Sequence, residues 1–270
     1  PKIDSLDAEL ILANILSLSR EEIIAHPERK LWFWTRKKFK KLVKKRQLGA
    51  PLAYLTGHKE FFGLDFFVNK DVLIPRPETE LMVEEVIKYI NSKFQILNSK
   101  FLLIDIGTGS GCIPIAIMKT LAPNPMWFGV KTFAVDISKI ALKVARKNAK
   151  THNVKINFLH GNLLNAIPCY KLQTTSYKLI ITANLPYLTS EQYKSAKSIQ
   201  FEPKSALVTK DDGLYLYKKL LNQIQQLTTS YQLPATSYLE IDPSQTDRIK
   251  TLIKQILPEA KVEIKKDLCG

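Results

Sequence analysis

Asn184, Leu185, Pro186 and Tyr187 are the residues whose types and spacing could most readily do chemistry, because they follow directly on the apolar run Tyr177 to Ala183. A carboxamide or nucleobase nitrogen is a poor nucleophile, so methylating it requires holding it in line with a reactive methyl donor. Asn184 has the groups for that: its amide carbonyl accepts from a substrate NH2, and its own NH2 donates to a substrate carbonyl. Pro186 would stiffen the turn, and Tyr187 offers a flat apolar wall. Asn and Pro are also ordinary turn formers, so the four residues alone are equally compatible with a strand-to-loop turn.

A second constellation lies upstream. Leu102-Leu-Ile-Asp-Ile106 reads as a buried strand running into Gly107-Thr108-Gly109-Ser110-Gly111 and then the helix-like Cys112 to Ile117. In an open α/β sheet a ligand binds at such a turn. The dinucleotide fingerprint is not met, because Cys112 stands where the third glycine belongs, and this disfavours NAD. Asp136 ends the next strand, 25 residues beyond Gly111, where a carboxylate accepts both hydroxyls of a ribose. Asp105 is either a ligand contact or an acid that stabilises the turn.

These residues need a sheet to carry them. From Phe101 onward strands and helices alternate: Phe101 to Ile106, a helix from Ser110, Thr132 to Val135, a helix from Ser138, Ile156 to Leu159. Strands follow at Tyr177 to Thr182, Ser237 to Ile241 and Lys261 to Lys265. The alternation predicts an α/β fold with a doubly wound, mostly parallel sheet. Residues 1 to 50 read as a small helical bundle, with Asp4 or Ser5 capping one helix and Ser19 opening another in the Ser-x-x-Glu pattern. Gly49-Ala50-Pro51 closes that region, and residues 51 to 75, including Tyr54 to Val68, predict a hairpin linker with two short strands around Gly63. Pro77 predicts a helix start, and residues 76 to 270 form the larger domain.

With 270 residues, 45% hydrophobic and 24% charged, the protein is long enough for a substantial core. No apolar run reaches the ~20 residues that span a bilayer, so a cytoplasmic protein with no membrane contact is expected. Three distant cysteines, Cys112, Cys169 and Cys269, and four scattered histidines predict neither a disulfide framework nor a metal site. The net charge of +15 favours an acidic partner. It concentrates between Arg36 and Arg46, where eight bases occur without an acid and Phe39, Leu42 and Val43 recur at helical spacing. That predicts an amphipathic helix with a basic outer face, either a solvated surface or a contact for RNA or the ribosome.

Four blocks in order complete the picture: Leu73-Ile-Pro-Arg-Pro-Glu-Thr-Glu80, Asp105-Ile-Gly-Thr-Gly-Ser-Gly-Cys-Ile113, Asn184-Leu-Pro-Tyr187, and Phe201-Glu-Pro-Lys-Ser-Ala-Leu207 with Asp212-Gly-Leu214. Together with Asp7-Ala-Glu-Leu10, Leu18-Ser-Arg20 and His26-Pro-Glu28, they resemble the HemK/PrmC family of peptide chain release factor glutamine methyltransferases over nearly the whole sequence. The resemblance implies a class I, Rossmann-like methyltransferase fold. It implies S-adenosylmethionine as methyl donor, held by Gly107, Thr108, Gly109, Ser110, Gly111, Asp136, Asn162, Leu163 and Asn184. It also implies that a release factor presents its Gly-Gly-Gln glutamine to Asn184, Leu185, Pro186 and Tyr187, with Asn184, Pro186 and Tyr187 catalytic, in a protein expected to be a monomer.

Three features depart from the family pattern. Leu185 stands where the family usually has a second proline, and Asn-Leu-Pro-Tyr is typical of ribosomal RNA adenine dimethyltransferases, which keeps adenine N6-methylation of RNA or DNA as an alternative. Gly161-Asn162 replaces the family's Gly-Asp, with weaker donor affinity as the expected result. Lys266 to Gly270 resembles the hairpin before a last strand, so the expectation is a protein that lacks this strand, with an unpaired edge at Lys261 to Lys265.

Overall fold

The computed structural model describes residues 3–97, 100–122, 129–168, 177–231 and 233–266. Five parallel strands form the central sheet, in the order β5-β4-β3-β6-β7: β3 Lys100–Ile106, β4 Val130–Asp136, β5 Asn157–His160, β6 Tyr177–Ala183 and β7 Ala235–Leu239. The period-two alternation of β3 divides its side chains between two cores. Leu102, Ile104 and Ile106 face α9 (Tyr215–Tyr231) and α10 (Thr246–Ile256), while Phe101 and Leu103 face α5 (Glu80–Leu97), α6 (Cys112–Leu121) and α7 (Lys139–Thr151). Helices on both faces of a parallel sheet make the doubly wound architecture that the alternation predicts.

The N-terminal region packs α1 (Ser5–Leu16), α2 (Arg20–Ala25) and α3 (Phe33–Gln47) around a small core of Ile11 and Ala13. Asp4 caps α1 by accepting from Leu6 N, and Ser19 with Glu22 forms a complete capping box on α2. In α3, Phe39, Leu42 and Val43 are half-buried, and all the bases between Arg36 and Lys45 are exposed. Arg46 alone turns inward, its Nε donating to Asp7 Oδ2 at 2.6 Å.

Two sequence expectations are corrected. Tyr54 to Thr56 do not open a strand: they lie in α4 (Leu52–Thr56), started at Pro51 and stopped by Gly57 in the left-handed region, φ 81°. The hairpin is confined to β1 (His58–Phe61) and β2 (Leu64–Phe67), paired antiparallel. Lys261 to Lys265 form no strand. They lie exposed, with Lys265 Nζ 2.5 Å from Glu85 Oε2. Cys169, Cys269 and residues 267–270 lie outside the described residues.

Candidate active site

The carboxyl ends of β3, β4, β5 and β6 converge on one rim, and each contributes a group. The strand β3 runs into the glycine turn, whose Gly107 and Thr108 N–H groups donate to Val135 O at 2.9 and 3.0 Å. The turn is thereby pinned to the end of β4. Asp136 accepts from Gly109 N at 2.8 Å through Oδ2 and from Ser138 N at 2.7 Å through Oδ1. Each oxygen keeps a further lone pair, so the carboxylate remains able to take two vicinal hydroxyls. Burial pushes its pKa up, and the backbone donors at Ser138 and Gly109 oppose this.

The room for a ligand is above Gly109. Its φ is +54°, and a Cβ there would meet nothing closer than 4.0 Å, the Gly107 carbonyl. The Thr108 side chain is buried on the Asp105 side of the turn. Ile137, 66% exposed, adds an apolar surface next to the Asp136 carboxylate, suited to a flat base. Asn162 is exposed after β5. The Leu163 side chain is buried in the core that includes Leu185, with a left-handed φ of 52°, which leaves its backbone to face the rim. A cradle open above a glycine and a carboxylate with spare lone pairs fit a ribose-bearing donor such as S-adenosylmethionine.

Asp105 sits behind the turn, fully enclosed. Burial raises its pKa to about 6, with the Thr108 and Thr182 hydroxyls holding it down. Its Oδ1 accepts from Thr182 Oγ1 at 2.7 Å, and its Oδ2 has no hydrogen-bond partner. Asp105 thus belongs to the support of the turn.

The four residues after β6 lie against the glycine turn. A Cβ on Gly107 would meet Leu185 Cδ2 at 3.0 Å and Asn184 O at 3.7 Å. Leu185 is 3% exposed and packs its side chain into the core, while its N–H donates to Tyr217 Oη at 3.2 Å. Asn184, Leu185, Pro186 and Tyr187 line a cleft of about 330 Å³ with Arg76 and Glu78. Burial pushes the Tyr187 phenol up to about 12, so it stays neutral at physiological pH.

Sequence reasoning missed the groups that hold this cluster. Asn184 Nδ2 donates to Thr79 Oγ1 at 3.1 Å, and Asn184 and Thr79 both stand as donors against the carboxyl of Glu240. One hydrogen of the Asn184 NH2 is therefore engaged within the protein, while Oδ1 stays available to substrate. Gln245 Nε2 donates to Tyr187 O at 3.0 Å, and Asn148 clips β2 to the glycine turn by accepting from Phe67 N and donating to Ser110 O. Only the rule that a buried polar side chain needs a partner could have flagged these residues in the sequence, and it names no partner.

Fold and site together define a class I S-adenosylmethionine-dependent methyltransferase. Residues 97–259 match the model of a methyltransferase domain, and residues 2–57 match the PrmC N-terminal domain. A release factor glutamine methyltransferase of Bacillus anthracis is 34% identical, covering 99% of this chain and 90% of its own length. One of Coxiella burnetii is also 34% identical, covering 100% and 90%. The chain belongs to the release factor glutamine methyltransferase family, HemK/PrmC. Among solved structures, the human Mettl16 catalytic domain in complex with the MAT2A 3′UTR hairpin 1 is similar in fold, with a TM-score of 0.50 and 17% identity over 73% of this protein and 67% of that one.

Proposed function

We propose that this protein transfers the methyl group of S-adenosylmethionine to the side-chain amide nitrogen of the glutamine in the Gly-Gly-Gln sequence of peptide chain release factors. The observation that carries the reading is the contact between Gly107 and the Asn184-Leu185 pair, which sets a cofactor turn and an amide-binding cleft side by side. Gly107 to Gly111, Asp136, Asn162 and the backbone of Leu163 hold the donor. Asn184 Oδ1 and the Leu185 carbonyl accept from the substrate NH2, orienting the nitrogen lone pair, while Pro186 and Tyr187 wall the cleft. The donor's sulfonium supplies a methyl group already activated for displacement. The protein's work is then positioning and exclusion of water, and the extra proton leaves to solvent afterwards.

Adenine methylation is not favoured, because the relatives bearing the release-factor name match nearly the whole sequence. The side chain of Leu185 is also turned into the core. The same reading places the enzyme in the cytoplasm as a monomer, with residues 1–50 and 51–75 as helical bundle and linker to the methyltransferase domain. No helix among the described residues is long and apolar enough to cross a membrane. The exposed bases of α3 and the aromatic side chains of Trp32, Phe33 and Trp34 at its start support contact with RNA or the ribosome.

A radiolabelled-methyl assay offering a release factor and ribosomal RNA together tests the substrate. Label on the Gly-Gly-Gln glutamine is expected, with loss of transfer in Asn184→Ala and calorimetric donor binding retained. Label on RNA alone would reject the substrate, and full transfer by Asn184→Ala would reject the role of Asn184.

A further inference from the structure

The end of β7 brings an acid to the active site that the reaction as described does not use. Glu240 N donates to Ala183 O at 3.0 Å, so Glu240 lies beside Asn184 across two paired strands. Its carbonyl accepts from Tyr217 Oη, the same hydroxyl that receives the Leu185 N–H. The backbones of Glu240 and Leu185 are thus joined through one buried phenol.

The side chains form a matching series of bonds. Thr79, 3% exposed, accepts from Asn184 Nδ2 through Oγ1, which leaves its own hydroxyl proton to donate. The Glu240 carboxyl lies beside this pair: burial raises its pKa, Thr79 and Asn184 oppose this as donors, and its Oε2 is buried without a hydrogen-bond partner. The two ends of an asparagine amide have nearly the same shape, so only their neighbours decide which faces the cleft. In its ionised form the Glu240 carboxyl only accepts. With the amide reversed, Oδ1 would face an acceptor at close range, the buried carboxylate would lose a donor, and the NH2 would point at another NH2 in the substrate.

We propose that Glu240 is a positioning residue which, together with Thr79, holds the NH2 end of Asn184 and so fixes Oδ1 toward the substrate nitrogen. The inference rests on Asn184 being the group that binds the substrate amide. Arg76 and Glu78 flank the same carboxyl, so the block from Leu73 to Glu80 helps to build the orienting shell as well as the cleft wall.

The test compares Glu240→Gln, Thr79→Val and Thr79→Ser in the full-length protein. The Asn184 side-chain NH2 is followed by 15N NMR, assigned through Asn184→Ala, alongside steady-state methyl transfer to a release factor. Gln at 240 has a donor that can face Asn184 Oδ1, and Val at 79 removes the relay without changing shape. In both, the Asn184 NH2 should shift and exchange faster, and kcat should fall by roughly 10- to 100-fold with KM for both substrates little changed, the scale of a misplaced near-attack geometry. Thr79→Ser should restore both signals. Should Glu240→Gln fail to fold, Thr79→Val still carries the test. An Asn184 NH2 unaltered in the folded variants overturns the proposal, whatever the activity. An altered NH2 in a protein that never methylates glutamine upholds it and rejects the substrate reading instead.

Discussion

Arg76 Nη2 and Glu202 Oε1 lie 2.5 Å apart although 126 residues separate them in sequence. The Glu202 side chain is 2% exposed, and its other oxygen accepts from Ile74 N at 3.0 Å. One buried carboxylate thereby ties the Ile-Pro-Arg-Pro block to the Phe-Glu-Pro segment, and both reach the cleft through Arg76, Ala206 and Leu207. Glu202→Ala leaves a half-buried guanidinium and a backbone N–H without their acceptor. It should lower stability by about 3 kcal/mol in urea denaturation. A loss too small to measure would mean that the two segments are held by apolar packing alone.

Gly213 carries a steric demand. Its φ is +89°, and a Cβ would stand 2.1 Å from both Tyr187 O and Gln245 Nε2. Gly213→Ala must therefore displace Tyr187 or break its bond from Gln245. Stability should drop by more than about 2 kcal/mol, and methyl transfer should fall with it. Wild-type activity and melting temperature in this variant would contradict the placement of Tyr187.

Tyr217→Phe removes the hydroxyl between Leu185 N and Glu240 O while keeping the ring, which is fully buried. The expected cost is about 1 to 3 kcal/mol, the penalty for leaving buried backbone groups unpaired. Because the freed N–H belongs to Leu185, whose carbonyl is assigned to the substrate, kcat should fall more than the affinity for donor measured by calorimetry.

Asp105 gives a pH dependence whose sign follows from its burial. Its pKa rises from 3.8 to about 6, so between those values the folded state binds the proton more tightly than the unfolded one. The carboxylate therefore costs stability fully above about pH 6, and the cost is relieved as pH falls toward 4. Asp105→Asn should be more stable than wild type at pH 7.5 by up to about 3 kcal/mol, with the gain vanishing near pH 4. Parallel urea titrations at the two pH values measure the difference. A gain that grows toward low pH would reverse the assignment.

The elements that announce themselves locally were legible in the sequence. The Ser19 and Glu22 capping box needs only residues three apart, and it forms as expected. The strand from Phe101 to Ile106 and the glycine turn were found from an apolar run meeting small residues, and the structure extends that strand by one residue to Lys100. The failures also have local causes. Tyr54 to Thr56 carry β-favouring side chains, yet Pro51 and Gly57 cap them as a helical turn. Lys261 to Lys265 alternate like a strand, but they pair with no other strand among the described residues, and alternation alone makes no ladder.

The sequence by itself determined the α/β alternation, the turn from Gly107 to Gly111, the acid at Asp136 and the presence of Asn184 to Tyr187 after a buried strand, because each depends on neighbours within a few residues. Tertiary structure alone decided that Leu185 packs under Gly107, that Leu163 turns into the core, and that Thr79 and Glu240 close on the amide of Asn184. A side chain's hydrogen-bond partner is chosen by the register of paired strands and by how a distant loop folds back. Thr79 meets Asn184 across 105 residues, a pairing that no local pattern encodes.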